Sequence, residues 1–411
     1  MTLRLALAGF GTVGSAVAQL ILTRHPDLQL AHVVTRGGAA SRAPWVPGTV
    51  TWSDTPDVAL ADRVDVFVEV MGGIDPARTW VRAALETGCH VVTANKQLIA
   101  HHGTELFAEA AARRRTLACE AAVAGGVPIV RALSEGIAGD AVLRVAGILN
   151  GTCNYILSRM EAAGLDLPAA LAEAQARGFA EADPAADLDG DDARAKLCVL
   201  ARVALNRHVA PEAVPCRSIR GLGAADLQLA RAAGYGIRQI AACALTETGD
   251  AVTAVVGPAL VTLGSSWAGT VLNHNLVVAT GAVGGDTGYF GAGAGGGPTS
   301  VAVVSDLRAI ADGGPSHAAR WAAAPAATVV PGAPVPWYLR TSAPAGLRDL
   351  GEVGRGAGIP IVRSLGEDVG VDARAVLTGP VDTETIERAM AAWPASSGVA
   401  DARLVAMPVW S

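Results

Sequence analysis

Between Gly178 and Lys196 the chain reads GFAEADPAADLDGDDARAK, which crowds six carboxylates and one lysine into a short span. That makes a poor surface helix and a plausible active site. The two halves of the segment differ. From Phe179 to Gly190, Pro184, a glycine and closely spaced acids predict an ordered loop. From Asp191 onward, DDARAKLCVLARVAL has helical periodicity with Asp191 or Asp192 near its start. Asp192 and Lys196 then lie one turn apart on one helix face. Most D-x-x-x-K spacings encode no more than an acid at the helix dipole and a surface ion pair. Here an almost wholly apolar run follows Lys196, so the helix is predicted to be buried with its lysine facing a cleft.

A second constellation lies at the start. Leu3 to Ala8 alternates like a strand, and Gly9-Phe10-Gly11-Thr12-Val13-Gly14 then leads into the apolar helix pattern VGSAVAQLIL. Strand, glycine turn and helix occur in the order that a dinucleotide site requires, with Gly11 letting a pyrophosphate approach the backbone at a helix N-terminus. The next strand, Leu28 to Thr35, ends in Val34, Thr35 and Arg36, with Arg42 nearby. Where an NAD site usually places an acid there is none, and an arginine can bind a 2′-phosphate. NADP is the favoured coenzyme, with NAD open and a solvated surface arginine as the rival reading.

The elements that must position these groups alternate along the chain: RVDVFVEVM, a helix near Pro76 to Thr87, HVVTA, a helix near Gln97 to Arg113, and TLACEAAV. This is an α/β pattern, a doubly wound parallel sheet. VVTANK places Thr93, Asn95 and Lys96 at or just beyond a strand's carboxyl end, where such sheets bind ligands. Glu120-Ala121-Ala122-Val123-Ala124-Gly125-Gly126-Val127 likewise ends a strand with one carboxylate and a turn of carbonyls. Hard oxygens of this kind suit a monovalent cation, or simply a tight turn.

With 411 residues, 51% of them hydrophobic, the chain can build two or three domains with large cores. The net charge of -6 and the lack of a basic tract give no support for nucleic-acid binding. The six cysteines are scattered through apolar runs with no C-x-x-C pair, which predicts reduced core residues in a cytoplasmic protein. No signal-type segment opens the sequence, and no apolar run reads as a membrane span.

Several motifs together resemble homoserine dehydrogenase: Gly9 to Gly14, EVMGG (Glu69 to Gly73), VVTANK, EAAVAGGVPIVR (Glu120 to Arg131), GILNGTCNYIL (Gly147 to Leu157), GFAEADP with DLDGDDARAK, and GAGAGGGPTSVAVVSDL (Gly291 to Leu307). They span about the first three quarters of the chain, in the family's order. The resemblance implies reversible NAD(P)-dependent interconversion of L-homoserine and L-aspartate 4-semialdehyde. It implies Lys196 as proton donor and Lys96 as a second active-site lysine. Glu181 and Asp192 would bind the substrate, with Asp187 in support. The coenzyme would lie against Gly9, Phe10, Gly11, Thr12, Val13, Gly14, Arg36, Thr93, Lys96, Gly293 and Gly295. Glu120, Val123, Gly125 and Val127 would hold sodium or potassium, mostly through backbone oxygens.

The expected organisation is a Rossmann-type dinucleotide-binding domain (1–140 plus 298–312), an α+β substrate and dimerisation domain (141–297), a linker (313–335) and a C-terminal domain (336–411). Strands such as Thr253 to Leu263 would build a dimer sheet, giving a homodimer or higher homo-oligomer. The glycine-rich Gly291 to Gly297 would be a ligand-facing loop before a helix from Thr299. Trp337 to Ser411 reads as strand, helix, two strands, helix and strand, a βαββαβ order that resembles an ACT regulatory domain. Its first loop, Ser342-Ala343-Pro344-Ala345-Gly346, lacks the acid of the family's effector motif, so a packing or assembly role is expected rather than threonine binding. Two other readings remain: a paralogue acting on another amino-acid alcohol or aldehyde, and a non-catalytic amino-acid sensor.

Overall fold

The computed structural model describes residues 2–341, 356–366, 375–397 and 404–410. Its contacts divide the chain into two compact units. The first comprises Met1–Val145, Ala195–Ala213 and Asn275–Thr328; the second comprises Ala146–Arg194, Val214–His274 and Val329–Ser411.

In the first unit, strands β1 (Leu3–Ala8), β2 (Leu28–Val34), β3 (Thr51–Ser53), β4 (Val66–Glu69), β5 (His90–Thr93) and β6 (Leu117–Ala118) form one sheet. Their order is β3-β2-β1-β4-β5-β6, and every neighbouring pair is parallel. This is the doubly wound order in which the chain reverses direction beside β1, leaving a crevice at the strands' carboxyl ends. Strands buried on both faces carry near-continuous apolar runs. Leu5, Leu7, Val33, Val68 and Val92 accordingly pack with Val17 and Ile21 of the helix Thr12–Arg24 and with Val303 and Leu307 of the helix Gly296–Ala311.

In the second unit, strands Tyr235–Leu245, Ala251–Thr262, Leu404–Trp410, Trp337–Thr341, Ala375–Thr378 and Ile361–Leu365 lie side by side in that order. The strand Ala251–Thr262, expected to help build a dimer sheet, has both edges occupied within the chain. Tyr235–Leu245 runs antiparallel to it on one side, and Leu404–Trp410 runs parallel on the other. Helix Gly151–Ala163 covers this sheet, and its Tyr155, Leu157 and Met160 share one core with Leu227, Leu229, Tyr338, Leu365 and Met407. The C-terminal strands thus share one core with the helices before them through Tyr338, Leu365 and Met407, while Trp337, Leu339, Val376 and Leu404 form a separate core with Ile386 and Trp393.

Several expectations change in detail. The acidic loop contains one helical turn, Ala185–Leu188. The strand expected across TLACEAAV shrinks to β6 followed by a tight turn over Glu120–Ala122. The helix after the glycine-rich loop starts at Gly296 rather than Thr299. The Gly/Pro/Ala-rich stretch read as a linker carries the helix Ala318–Ala322, anchored by the buried Trp321. Trp321 packs edge-on against Phe107, and its carbonyl accepts from the Arg202 guanidinium. The loop 342–346 and most of the helix expected over 347–358 lie outside the described residues.

Candidate active site

The three motif glycines of the first unit have three different physical reasons. Gly9 has φ of 101°, and a Cβ there would stand 2.8 Å from the Val70 carbonyl oxygen. A Cβ on Gly14 would stand 2.1 Å from the Gly9 carbonyl oxygen, so only glycine lets helix and strand approach this closely. Gly11 caps the helix Thr12–Arg24, is exposed, and faces open space where a Cβ would be. That opening in front of free helix N–H groups fits a pyrophosphate. Glycine-rich residues of the second loop border the first: a Cβ on Gly296 would meet the Thr12 carbonyl oxygen at 2.9 Å. Gly295 is left-handed with φ of 114°, which turns the chain into the helix Gly296–Ala311. Gly293 is packed so closely that a Cβ would strike the Asn275 side chain.

Beyond β2, Arg36 is exposed, and its carbonyl accepts from the Ser41 hydroxyl. Arg42 instead donates to the Pro47 carbonyl at 3.0 Å. Of the two arginines considered for a 2′-phosphate, Arg42 is therefore engaged in bracing its own loop.

At the ends of β4 and β5 lies a buried network that sequence reading missed. The Thr93 hydroxyl donates to Glu69 Oε2 at 2.6 Å, and the Met71 and Gly72 N–H groups donate to Oε1. Burial pushes the Glu69 carboxyl above its ordinary range, against the pull of these donors. Asn95 donates to the Gly73 carbonyl and accepts from the Leu98 N–H, capping the helix Lys96–Ala112. Thr93, expected at the coenzyme, thus commits its hydroxyl to Glu69. Lys96 opens the capped helix and is half-buried. The only signal for the network was the acid of EVMGG at the end of an apolar strand.

Glu120 is buried, and both its carboxylate oxygens accept backbone N–H groups, from Val130 at 2.7 Å and Arg131 at 2.9 Å. Its own N–H donates to Asp306, whose carboxyl burial pushes up to about 7. The carboxylate expected to help bind a cation therefore serves the turn that follows. The turn itself is tight. Ala124 and Gly125 are both left-handed, and a Cβ on Gly125 would meet the Gly293 carbonyl oxygen at 2.5 Å. Val123 and Val127 flank this pair, and the carbonyls of Glu120, Ala124 and Val127 accept the N–H groups of Val123, Val127 and Ile129.

In the second unit, Asn150 organises the acids. Its side-chain Oδ1 accepts from the Cys153 N–H at the start of the helix Gly151–Ala163, and its Nδ2 donates to Asp187 at 2.6 Å and Asp192 at 2.8 Å. The Asp187 carbonyl accepts from the Cys153 thiol and from Gln239. Asp192 is buried at 8% exposure. Other acids have other partners, Asp189 pairing with Arg220 and Asp191 with Arg194. Glu181 is exposed, with its carbonyl held by Gln175. Among the described hydrogen bonds, the structure joins Asp187 and Asp192 through Asn150 and does not join Glu181 to them. Asn150 itself was passed over, although it stands in GILNGTCNYIL.

Asp192 and Lys196 lie on one continuous helix, Asp191–Leu205, which holds a half-buried lysine one turn after the Asn150-bound acid. Two family models match the chain: homoserine dehydrogenase over residues 128–307, and the homoserine dehydrogenase NAD binding domain over 9–120. The chain belongs to the homoserine dehydrogenase family. It is 42% identical over 311 residues to the homoserine dehydrogenase of Mycobacterium tuberculosis, covering 74% of this chain and 70% of that protein. To the Pseudomonas aeruginosa homoserine dehydrogenase it is 40% identical over 312 residues, with 74% and 71% covered. The solved structure of a homoserine dehydrogenase from Thiobacillus denitrificans superimposes with a TM-score of 0.87 at 30% identity, covering 100% of this chain and 98% of that one. A hyperthermophilic archaeal homoserine dehydrogenase in complex with NADPH matches with a TM-score of 0.66 at 25% identity, over 77% of this chain and 99% of the other. No described helix is long and apolar enough to cross a membrane.

Proposed function

We infer that this chain catalyses the reversible, NAD(P)-dependent interconversion of L-homoserine and L-aspartate 4-semialdehyde. The family membership carries the activity, and the Asn150-anchored acid pair, of which Asp192 lies one helical turn before Lys196, carries the assignment of residues. The nicotinamide coenzyme, when bound, supplies the hydride that the aldehyde carbon accepts. Gly9 to Gly14 hold its pyrophosphate, with Gly293 and Gly295 in the adjoining loop, and Arg36 receives a 2′-phosphate, making NADP the preferred coenzyme. Asp192 and Asp187, oriented by Asn150, bind the substrate ammonium, and Glu181 adds a third negative charge. Lys196 gives its proton to the developing alkoxide in reduction and takes it back in oxidation. Lys96 contributes a positive charge that stabilises the alkoxide before the proton moves.

The carbonyls of Glu120, Val123, Gly125 and Val127 hold a sodium or potassium ion in a structural role. The strands of the C-terminal segment, taken in chain order, lie 4-1-3-2 with all neighbours antiparallel, which supports an ACT-like module. In function we read 1–140 plus 298–312 as the coenzyme part, 141–297 as the substrate part and 336–411 as the C-terminal module, joined by 313–335, in a homodimer.

Initial rates of homoserine oxidation with NADP and NAD, each with potassium or sodium, test the reading. Turnover favouring NADP is expected. Folded protein that turns over homoserine with neither coenzyme would overturn it.

A further inference from the structure

We propose that Trp45 is the platform on which the adenine ring of the coenzyme stacks, so that an aromatic column built from the glycine-rich turn fixes the adenosine end. The proposal rests on the nicotinamide-coenzyme reading and deepens it.

Trp45 is 49% exposed, an unusual position for the largest apolar side chain. It is not loosely placed. The loop around it reads RAPWVPGTV, and the neighbours on either side are tied down. Val46 and Val50 are buried at 4% and 3%, with their N–H groups donating to the Ala43 and Pro47 carbonyls. Arg42 closes the loop on the Pro47 carbonyl, and Pro44 and Pro47 restrict the backbone further. This bracing presents the indole outward without a conformational cost on binding.

What lies behind Trp45 gives its direction. Its ring stacks on Phe10 at 5.9 Å between centroids and 27° between planes. Phe10 in turn packs edge-on against the buried Trp52 of β3 at 4.8 Å. Phe10 sits between Gly9 and Gly11, in the turn that faces the pyrophosphate. The column therefore starts at the phosphate loop and ends at an open indole in the segment following β2, which also carries the exposed Arg36. The segment beyond β2 is where a doubly wound sheet receives the adenosine half of a dinucleotide. A base stacks on an aromatic face without needing a hydrogen-bond partner, so Trp45 positions the coenzyme and leaves the choice of 2′-phosphate to other groups.

Calorimetric titration of the full chain tests this, with NADP and with the fragment adenosine 2′,5′-bisphosphate, for the wild type, Trp45→Ala and Trp45→Phe. Trp45→Ala is expected to raise Kd for both ligands by the same factor, about tenfold, and Trp45→Phe to recover most of the loss. NADP should also quench part of the wild-type tryptophan emission, and that part should vanish in Trp45→Phe. A loss caused by loop disorder alone would not remove that quenching from a well-folded Phe variant. Unchanged Kd values in Trp45→Ala, or undiminished quenching in Trp45→Phe, would overturn the assignment while leaving coenzyme binding intact. Wild-type protein that binds neither ligand would overturn both.

Discussion

The glycine-rich start of the first unit and the acidic stretch of the second reach function by opposite means. In the proposed coenzyme site at Gly9 to Gly14 the working groups are backbone amides, and the three glycines matter for the side chains they lack. In the proposed substrate site the side chains of Asp187, Asp192 and Lys196 are the working groups, and the two acids are held by Asn150, a residue from another part of the sequence. A backbone site is largely complete once its local turn forms. A side-chain site is complete only when distant elements have packed. The first should therefore fail through folding, the second through chemistry.

The largest effect expected is on the chemical side. Lys196→Ala should lower homoserine turnover by about a thousandfold while calorimetry still records NADP binding. Near-normal turnover would remove Lys196 from proton transfer and break the contrast. The glycines should divide among themselves. Gly14→Ala forces a Cβ onto the Gly9 carbonyl and should cost about 3 kcal/mol in urea unfolding. Gly11→Ala meets nothing in the folded protein, so it should cost under about 1 kcal/mol and weaken NADP instead. Equal destabilisation by the two would show that Gly11 is not open in the folded protein, and unchanged NADP affinity in Gly11→Ala would remove it from the coenzyme site.

These differences also explain what could be read from the chain. The apolar runs of β1, β2 and β4 and the helix Asp191–Leu205 were legible because burial imposes local periodicity. The glycine turn was legible because its steric demands fall within six consecutive positions. Asn150 was not, because an Asn before a helix is ordinarily a cap, and its second role depends on an acid 42 residues away. Glu69 was hidden similarly, since its Thr93 partner lies on the next strand. Helix Ala318–Ala322 was masked by its Gly/Pro/Ala-rich surroundings; what holds it is Trp321 packing on Phe107.

Two smaller effects sharpen the comparison. Asn150→Ala should raise KM for homoserine by about tenfold with Kd for NADP unmoved, because Asp187 and Asp192 lose a shared donor. Steady-state kinetics with each substrate varied in turn will separate the two constants, and a parallel rise in both would mean that Asn150 supports the fold generally. The smallest effect concerns Glu69, whose carboxyl burial holds above its ordinary range. For an acid raised in the folded state, the stability contributed is fully present below its unfolded pKa and declines as pH rises through the folded value. Glu69→Gln should therefore gain stability relative to the wild type as the pH rises above the ordinary carboxylate range in paired urea titrations. A difference independent of pH would mean that Glu69 does not change charge there.

The strand Leu404–Trp410 lies between Trp337–Thr341 and Ala251–Thr262, pairing Val409 with Leu260 and Trp410 with Val261. During synthesis on the ribosome, Ala251–Thr262 emerges long before the strand that covers this edge. Until that strand arrives, the nascent chain presents unpaired backbone groups to its surroundings. Translation speed through the intervening residues thus sets how long an adhesive edge stays open, and slow codons there would favour association between nascent chains over correct closure.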